Sequence, residues 1–183
     1  MLTAKETSNL LNISTVRLKQ ILKNDESYKY ERTNENNGLI KIHPETVRKL
    51  LQERNNFRYP KTAKKIIFGS QKGGVSKTLT TLHVAIRLAE SRGCRCLIID
   101  QDFEGHSSSF LLPENISLSE TKTLYEVIKD NEPIENVVLE TRYPNVSIIP
   151  SKGLNRRIDK LLTTSNPKTL IAKLIKPLEK KFD

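Results

Sequence analysis

The chain has 183 residues, 36% of them hydrophobic and 28% charged, with a net charge of +10. This suits a globular protein of one medium domain, or a small module plus most of a larger one. No run approaches the roughly 18 apolar residues of a membrane helix, and residues 1–6 lack the apolar core of a signal peptide, so a cytoplasmic location without membrane contact is expected. Residues 1–60 hold 11 Lys/Arg against 7 Asp/Glu, and residues 61–183 hold 20 against 14. The basic excess is thus shared, which points to an anionic partner for each part.

Thr3 and Glu6 have capping-box spacing, which predicts a helix over 3–11. Asn12 and Ile13 make a tight turn, and Ser14 caps a second helix over 15–23. There Leu18, Ile21 and Leu22 fall at i, i+3 and i+4 and face the core. Arg17, Lys19, Gln20 and Lys23 then point elsewhere, mostly to solvent. Helix, tight turn and a second helix with a basic outer face is helix-turn-helix geometry. The runs 28–33 and 39–42, joined by the turn 34–38 with its Asn37-Gly38 pair, predict a β-hairpin. His43-Pro44-Glu45 opens a third helix with Val47, Leu50 and Leu51 apolar.

This order resembles the MerR/excisionase type of winged helix. The resemblance implies an operator-reading module over 1–54, in which Thr15, Arg17, Lys19 and Gln20, with Lys23 beside them, approach the major groove. A small protein-interaction module is the structural alternative. Residues 55–63, polar, without period and holding Pro60, read as a linker.

From residue 64 the pattern changes. The apolar run 66–69 predicts a strand over 64–69, and Leu79, Leu82, Ala85, Ile86 and Ala89 share one face of a helix over 77–92 that ends at Gly93. Between them stands Lys72-Gly73-Gly74-Val75-Ser76-Lys77-Thr78. A strand, a glycine turn and a helix make a nest of backbone N–H groups that attracts phosphate. Lys77 would reach the outer phosphates and the Thr78 hydroxyl a Mg²⁺ ion. The standard phosphate loop wants Gly where Gln71 and Ser76 stand. The stretch instead fits K-G-G-x-x-K-[ST] and resembles the deviant Walker A loop of the ParA/MinD superfamily of ATPases. The resemblance implies ATP or ADP with Mg²⁺, held by Gly73, Gly74, Val75, Ser76, Lys77, Thr78 and Leu79. It also implies that Lys72 acts on the nucleotide of a second subunit.

Cys94 and Cys96 open the next predicted strand, over 94–99. They are too few for a metal cage and too close for a disulfide, so they read as reduced packing residues. The strand delivers Asp100 and Asp102 at its C-terminal end, where open α/β sheets bind ligands. The segment Asp100-Gln101-Asp102-Phe103-Glu104 is similar to the ParA-family pattern D-x-D-P-Q. By that likeness Asp102 positions the attacking water and Asp100 supports the Mg²⁺ shell, with Lys72 and Lys77 completing the catalytic set. Phe103 and Glu104 depart from the pattern, and a carboxylate near the triphosphate predicts slow or altered hydrolysis. His43, His83 and His106 share no metal-ligand spacing; His83 reads as a packing residue and His106 as no catalyst.

A helix over 123–128, a strand over 145–150 and a last helix over 169–180, bent at Pro177, follow. Their order is similar to that of the partition ATPases, with further family strands expected after Asp183, so the chain reads as a fragment or a truncation. The predicted fold class is α/β: an incomplete P-loop NTPase-like parallel sheet flanked by helices over 64–183, preceded by a small α+β winged helix-turn-helix domain. The resemblance implies a ParA-like DNA partition ATPase. Such a protein binds ATP-Mg²⁺, forms a homodimer, coats nucleoid DNA, and hydrolyses ATP with a centromere-binding ParB-like partner; an operator-binding autorepressor role is also implied. A DNA-binding regulator with a nucleotide-sensing or inactive ATPase remnant is the alternative. A MinD-like membrane-cycling ATPase is disfavoured by the N-terminal module.

Overall fold

In the computed structural model, residues 1–33, 38–54, 57–70, 72–102, 104–153, 158 and 167–183 are described. Residues 34–37 of the expected turn 34–38, Gln71 and Phe103 lie outside them. Strand β1 (Leu2–Thr3) leads into α1 (Ala4–Leu10). The capping box forms: the Thr3 hydroxyl accepts from the Glu6 amide at 3.2 Å, and the Glu6 carboxylate accepts from the Thr3 amide at 2.8 Å. Asn12 takes the left-handed turn position at φ 53°. Ser14 then caps α2 (Thr15–Asn24), its hydroxyl accepting from the Arg17 amide.

The hairpin strands are β2 (Tyr30–Arg32) and β3 (Ile40–Ile42), and β1 adds to the free side of β3 in an antiparallel sheet ordered β1–β3–β2. Helix α3 (Pro44–Glu53) starts on Pro44 with His43 as its cap. Leu18 and Leu22 of α2, Ile42 of β3, and Val47, Leu50 and Leu51 of α3 close one core. Each such side chain contributes about 1.5–3 kcal/mol on burial. Phe57 packs against this core. Tyr59 lies under the Arg48 guanidinium, 3.7 Å from its ring centre, and its hydroxyl donates to the Arg92 carbonyl.

The second part holds α4 (Lys77–Arg92), β4 (Cys96–Ile99), α5 (His106–Leu111), α6 (Leu124–Asp130), β5 (Leu139–Glu140), β6 (Val146–Ile149) and α7 (Pro167–Ile175). Strands β4 and β6 run parallel, Cys96 facing Val146 and Ile99 facing Ile149. The short β5 joins the other side of β6 antiparallel, so the sheet is mixed rather than wholly parallel. Alternation along the strands feeds two cores. Ile98 and Ile148 meet Leu82, Ala85 and Ala89 of α4 on one face, and Ile149 meets Leu124, Val127 and Leu178 on the other. Gly93 ends α4 in the left-handed conformation at φ 64°, as its place after the helical pattern predicts. Helix α7 tightens into a 3₁₀ turn over Lys176–Lys180, which contains Pro177.

The strand expected over 64–69 does not form. Residues 64–70 run outside the sheet, with Ile66 60% and Ile67 92% exposed. The backbone anchors of this stretch sit at its start, where the Ala63 amide donates to the Glu179 carbonyl and the Lys64 amide to the Asp183 carbonyl. An apolar run becomes a strand only where it pairs with a neighbour's ladder, and among the described residues this run pairs with neither edge of the sheet β4–β6–β5. Two other side chains depart from expectation. Leu79 is 56% exposed rather than in the face α4 buries, and His83 is exposed rather than packed.

Candidate nucleotide site

The loop ahead of α4 is shaped by two left-handed residues, Gly74 at φ 70° and Ser76 at φ 57°. Alternating hand along a backbone turns successive N–H groups toward one point. For Ser76 that conformation carries a strain of about 1–2 kcal/mol. Ser76 gives α4 no side-chain cap, although its carbonyl starts the helix by accepting from the Thr80 amide at 2.9 Å. The first amides of this 16-residue helix therefore lack intrahelical acceptors. A Cβ placed on Gly73 or Gly74 would meet nothing within 4 Å, so a ligand can approach the loop backbone closely.

Lys77 and Thr78, the first two residues of α4, are half-buried. The Lys77 ammonium donates to the Lys72 carbonyl at 3.2 Å, which folds it back over the loop rather than out to solvent. The Lys72 side chain, by contrast, is exposed, as is Val75.

The carboxylate pair after β4 divides sharply. Asp100 is 5% exposed and accepts from the Ser108 amide at 3.0 Å, the Ser108 hydroxyl at 2.7 Å and the Asp102 amide at 3.1 Å. Burial pushes its carboxyl above the ordinary range, against the pull of those donors. Ser108 in turn accepts from the Ser151 amide at 2.9 Å, so Asp100 braces the ends of β4 and β6 against α5. Asp102 is exposed, with one carboxylate oxygen accepting from the Glu104 amide.

The turn that follows brings Asp102, Glu104 and His106 together, their ligand atoms all within 4.8 Å of one another. The His106 Nδ1 lies 3.3 Å from Glu104 and 3.8 Å from Asp102. Spacing among the three histidines could not reveal this cluster, because it joins one imidazole to two carboxylates at i−4 and i−2. Gly105 makes the turn possible. Its φ is 64°, and a Cβ there would lie 2.6 Å from the Ser151 carbonyl.

Thr78 and His106 line one groove of about 440 Å³, together with Leu79, Leu82, His83, Ile86, Arg87, Phe110 and Tyr143. The first turn of α4 and His106 at the start of α5 thus border one groove, whose remaining lining is mostly apolar and aromatic. The loop donors, Lys77 and the Thr78 hydroxyl suit a polyphosphate with a hard cation, and the exposed carboxylates of Asp102 and Glu104 are hard-cation ligands by type.

The N-terminal candidates occupy α2. Arg17, Lys19, Gln20 and Lys23 are exposed. Thr15 is half-buried, and its hydroxyl lies 3.2 Å from that of Ser8, holding α2 against α1. Val16, passed over in the sequence, is 68% exposed on the same helix.

A family model described as AAA domain matches residues 63–183. A virulence plasmid ParA family protein of Chlamydia muridarum is 32% identical over 107 residues, 58% of this chain and 39% of that protein. The chain thus spans about two fifths of the length of that curated relative. The McdA–ATP complex of Cyanothece superposes with a TM-score of 0.55 at 28% identity, over 63% of this chain and 43% of McdA. A solved partition protein covers 100% of this chain and 56% of its own, with a TM-score of 0.63 at 17% identity, which speaks for the fold alone. Among the described residues no helix is long and apolar enough to cross a membrane.

Proposed function

The chain belongs to the ParA-type partition ATPases, an AAA-domain family, and from that premise we propose that it binds ATP with Mg²⁺ at the 72–79 loop and DNA through its N-terminal residues. The observation that carries this reading is the loop itself: two left-handed residues, an uncapped α4, and Lys77 folded over the turn.

The amides of 73–79 would take the phosphate oxygens, Lys77 the outer phosphates, and the Thr78 hydroxyl the metal. The metal, when bound, supplies Lewis-acid charge stabilisation at the transferring phosphate. The exposed Asp102 would hold the attacking water, and Asp100, held in place by Ser108 and the Asp102 amide, would support the Mg²⁺ shell. The exposed Lys72 can reach outward to a second copy, so an ATP-bound homodimer is the working form. Glu104 adds negative charge beside Asp102, and hydrolysis should be slow without a ParB-like partner.

Residues 1–54 form the winged helix-turn-helix of this proposal, with 55–63 as the connection and 64–183 as the ATPase part. Helix α2 presents Arg17, Lys19, Gln20 and Lys23 to DNA, while Thr15 orients the helix through Ser8. Val16 adds an apolar contact suited to a thymine methyl. Cytoplasmic, nucleoid-associated location follows from DNA as the partner.

Titration of ATP-Mg²⁺ into wild type and Lys77→Ala tests the nucleotide site. Loss of binding in the variant, with an unchanged melting temperature, is expected. Equal affinity in the two would remove the loop from the reading.

A further inference from the structure

Between α2 and the hairpin lies a cleft of about 340 Å³ lined by Lys19, Leu22, Lys23, Tyr30, Arg32, Gly38 and Ile40. Three of the seven are cations and none is an acid. The periodicities of helix and strand explain the gathering. Lys19 and Lys23 stand one turn apart on one flank of α2, about 6 Å along its axis. Tyr30 and Arg32 stand two apart on β2, so they share the strand face turned toward α2, while Glu31 takes the other. Register agrees, since Arg32 lies opposite Ile40 and Tyr30 opposite Ile42, both of which are buried in the core beneath α2. Leu22 and Ile40 form an apolar floor, over which the long basic side chains keep their charged ends in water.

The charges are also uncompensated. Lys29, Arg48, Lys49, Lys65, Arg95, Lys122 and Lys152 all have carboxylate partners within 4 Å. Among the described residues Lys19, Lys23 and Arg32 have none.

We propose that this cleft clamps the phosphate backbone of duplex DNA, with Lys19 and Lys23 on one wall and Arg32 on the other. The proposal rests on the DNA reading above and divides its residues. Arg17 and Lys19 flank the buried Leu18, about 160° apart around the helix, so they cannot serve one contact. Arg17 faces away from the cleft and reads bases, with Val16 and Gln20 on the outer face between it and the lysines; Lys19, Lys23 and Arg32 neutralise phosphates and carry no sequence information. Arg32, on the hairpin, is the added residue.

The test uses the full chain and two fluorescent 20-base-pair duplexes, one selected for tight binding and one random, titrated from 50 to 300 mM salt. Lys19→Ala and Arg32→Ala should each weaken both duplexes by a similar factor, about fivefold, and lower the salt slope by about 0.9. Arg17→Ala should instead shrink the difference between the duplexes. Arg32→Lys should keep the slope, which separates charge from folding. An unchanged slope in Arg32→Ala, with wild type still binding, overturns the clamp alone. Wild type binding neither duplex at 50 mM salt overturns the DNA reading and the clamp with it.

Discussion

Arg48 and Asp183, 135 positions apart, meet in a two-point ion pair, Nη2 donating to Oδ1 at 3.0 Å and Nη1 to Oδ2. The Asp183 side chain is 4% exposed and also accepts from the Arg95 amide at 2.7 Å, while Arg48 reaches the Gly93 carbonyl at 3.2 Å. Helix α3 is thereby tied to the end of α4, whose other end is the phosphate loop. Removing the arginine leaves the buried carboxylate only the more exposed Arg95 guanidinium at 3.5 Å, so the loss falls at the low end of the about 3–5 kcal/mol that breaking a buried pair costs. Arg48→Ala should therefore lower stability by about 3 kcal/mol in urea unfolding. Arg48→Lys should recover only part, since one ammonium cannot make both bonds. A loss below about 0.5 kcal/mol would show that water screens the pair.

The same pair gives the chain an acid limb. Burial alone would raise the Asp183 carboxyl, but the hydrogen bonds from Arg48 and Arg95 outweigh it and hold it below the ordinary range. The Thr3 backbone amide lowers Glu6 in the same way. A carboxyl depressed on folding contributes stability that is present above its unfolded pKa of about 4 and is lost as pH falls through the folded value. Asp100, raised by burial, acts in the opposite sense. Thermal melts should fall steadily below about pH 4 in wild type, and Asp183→Asn should flatten part of that fall. An unchanged acid limb in Asp183→Asn would place the loss elsewhere.

Gly93 and Gly74 have nearly the same backbone, φ 64° and 70°, but different surroundings. A Cβ at Gly93 would sit 2.5 Å from the Pro44 carbonyl and 2.6 Å from the Arg48 Cβ; at Gly74 it would meet nothing within 4 Å. Gly74→Ala should then cost about 1 kcal/mol of left-handed strain, and Gly93→Ala clearly more, because α3 must also shift. Nucleotide affinity should rank the other way, with Gly74→Ala the weaker binder. Equal melting temperatures for the two variants would refute the close approach of α3 to Gly93.

The two aspartates after β4 offer a further separation. Asp100→Ala strips an acceptor from the buried Ser108 hydroxyl and amide, which costs about 2 kcal/mol. Asp102→Ala removes an exposed side chain and should change stability by less than about 0.5 kcal/mol. In an ATPase assay Asp102→Ala should keep nucleotide affinity and lose turnover. A folded, active Asp102→Ala enzyme would take Asp102 out of the reaction.

Local rules made much of this legible. Thr3 with Glu6, Ser14, Pro44 and Gly93 are each decided by their nearest neighbours, and the helix ends they predict are found. The loop glycines and Lys77 were readable for the same reason. What spacing could not supply were contacts set by tertiary packing. Arg48 with Asp183, the pairing of β1 with β3, and Arg32 beside Lys19 all depend on which elements lie side by side. Asp100 and Asp102 looked alike as i, i+2 carboxylates. Only the amide and hydroxyl of Ser108 in α5 separate the bracing residue from the exposed one.

Ile67 makes the difference between pattern and neighbourhood measurable. As a residue of a central strand it would be buried, and Ile67→Ser would cost several kcal/mol through lost burial and an orphaned hydroxyl. At 92% exposure in this 183-residue chain it has almost no burial to lose. Urea unfolding of Ile67→Ser should therefore match wild type within about 0.5 kcal/mol. An unpaired apolar segment also invites pairing with a second copy, so the variant should stay monomeric to higher concentration in sedimentation. A loss above about 2 kcal/mol would mean instead that Ile67 finds cover in solution and that residues 64–69 add to the sheet.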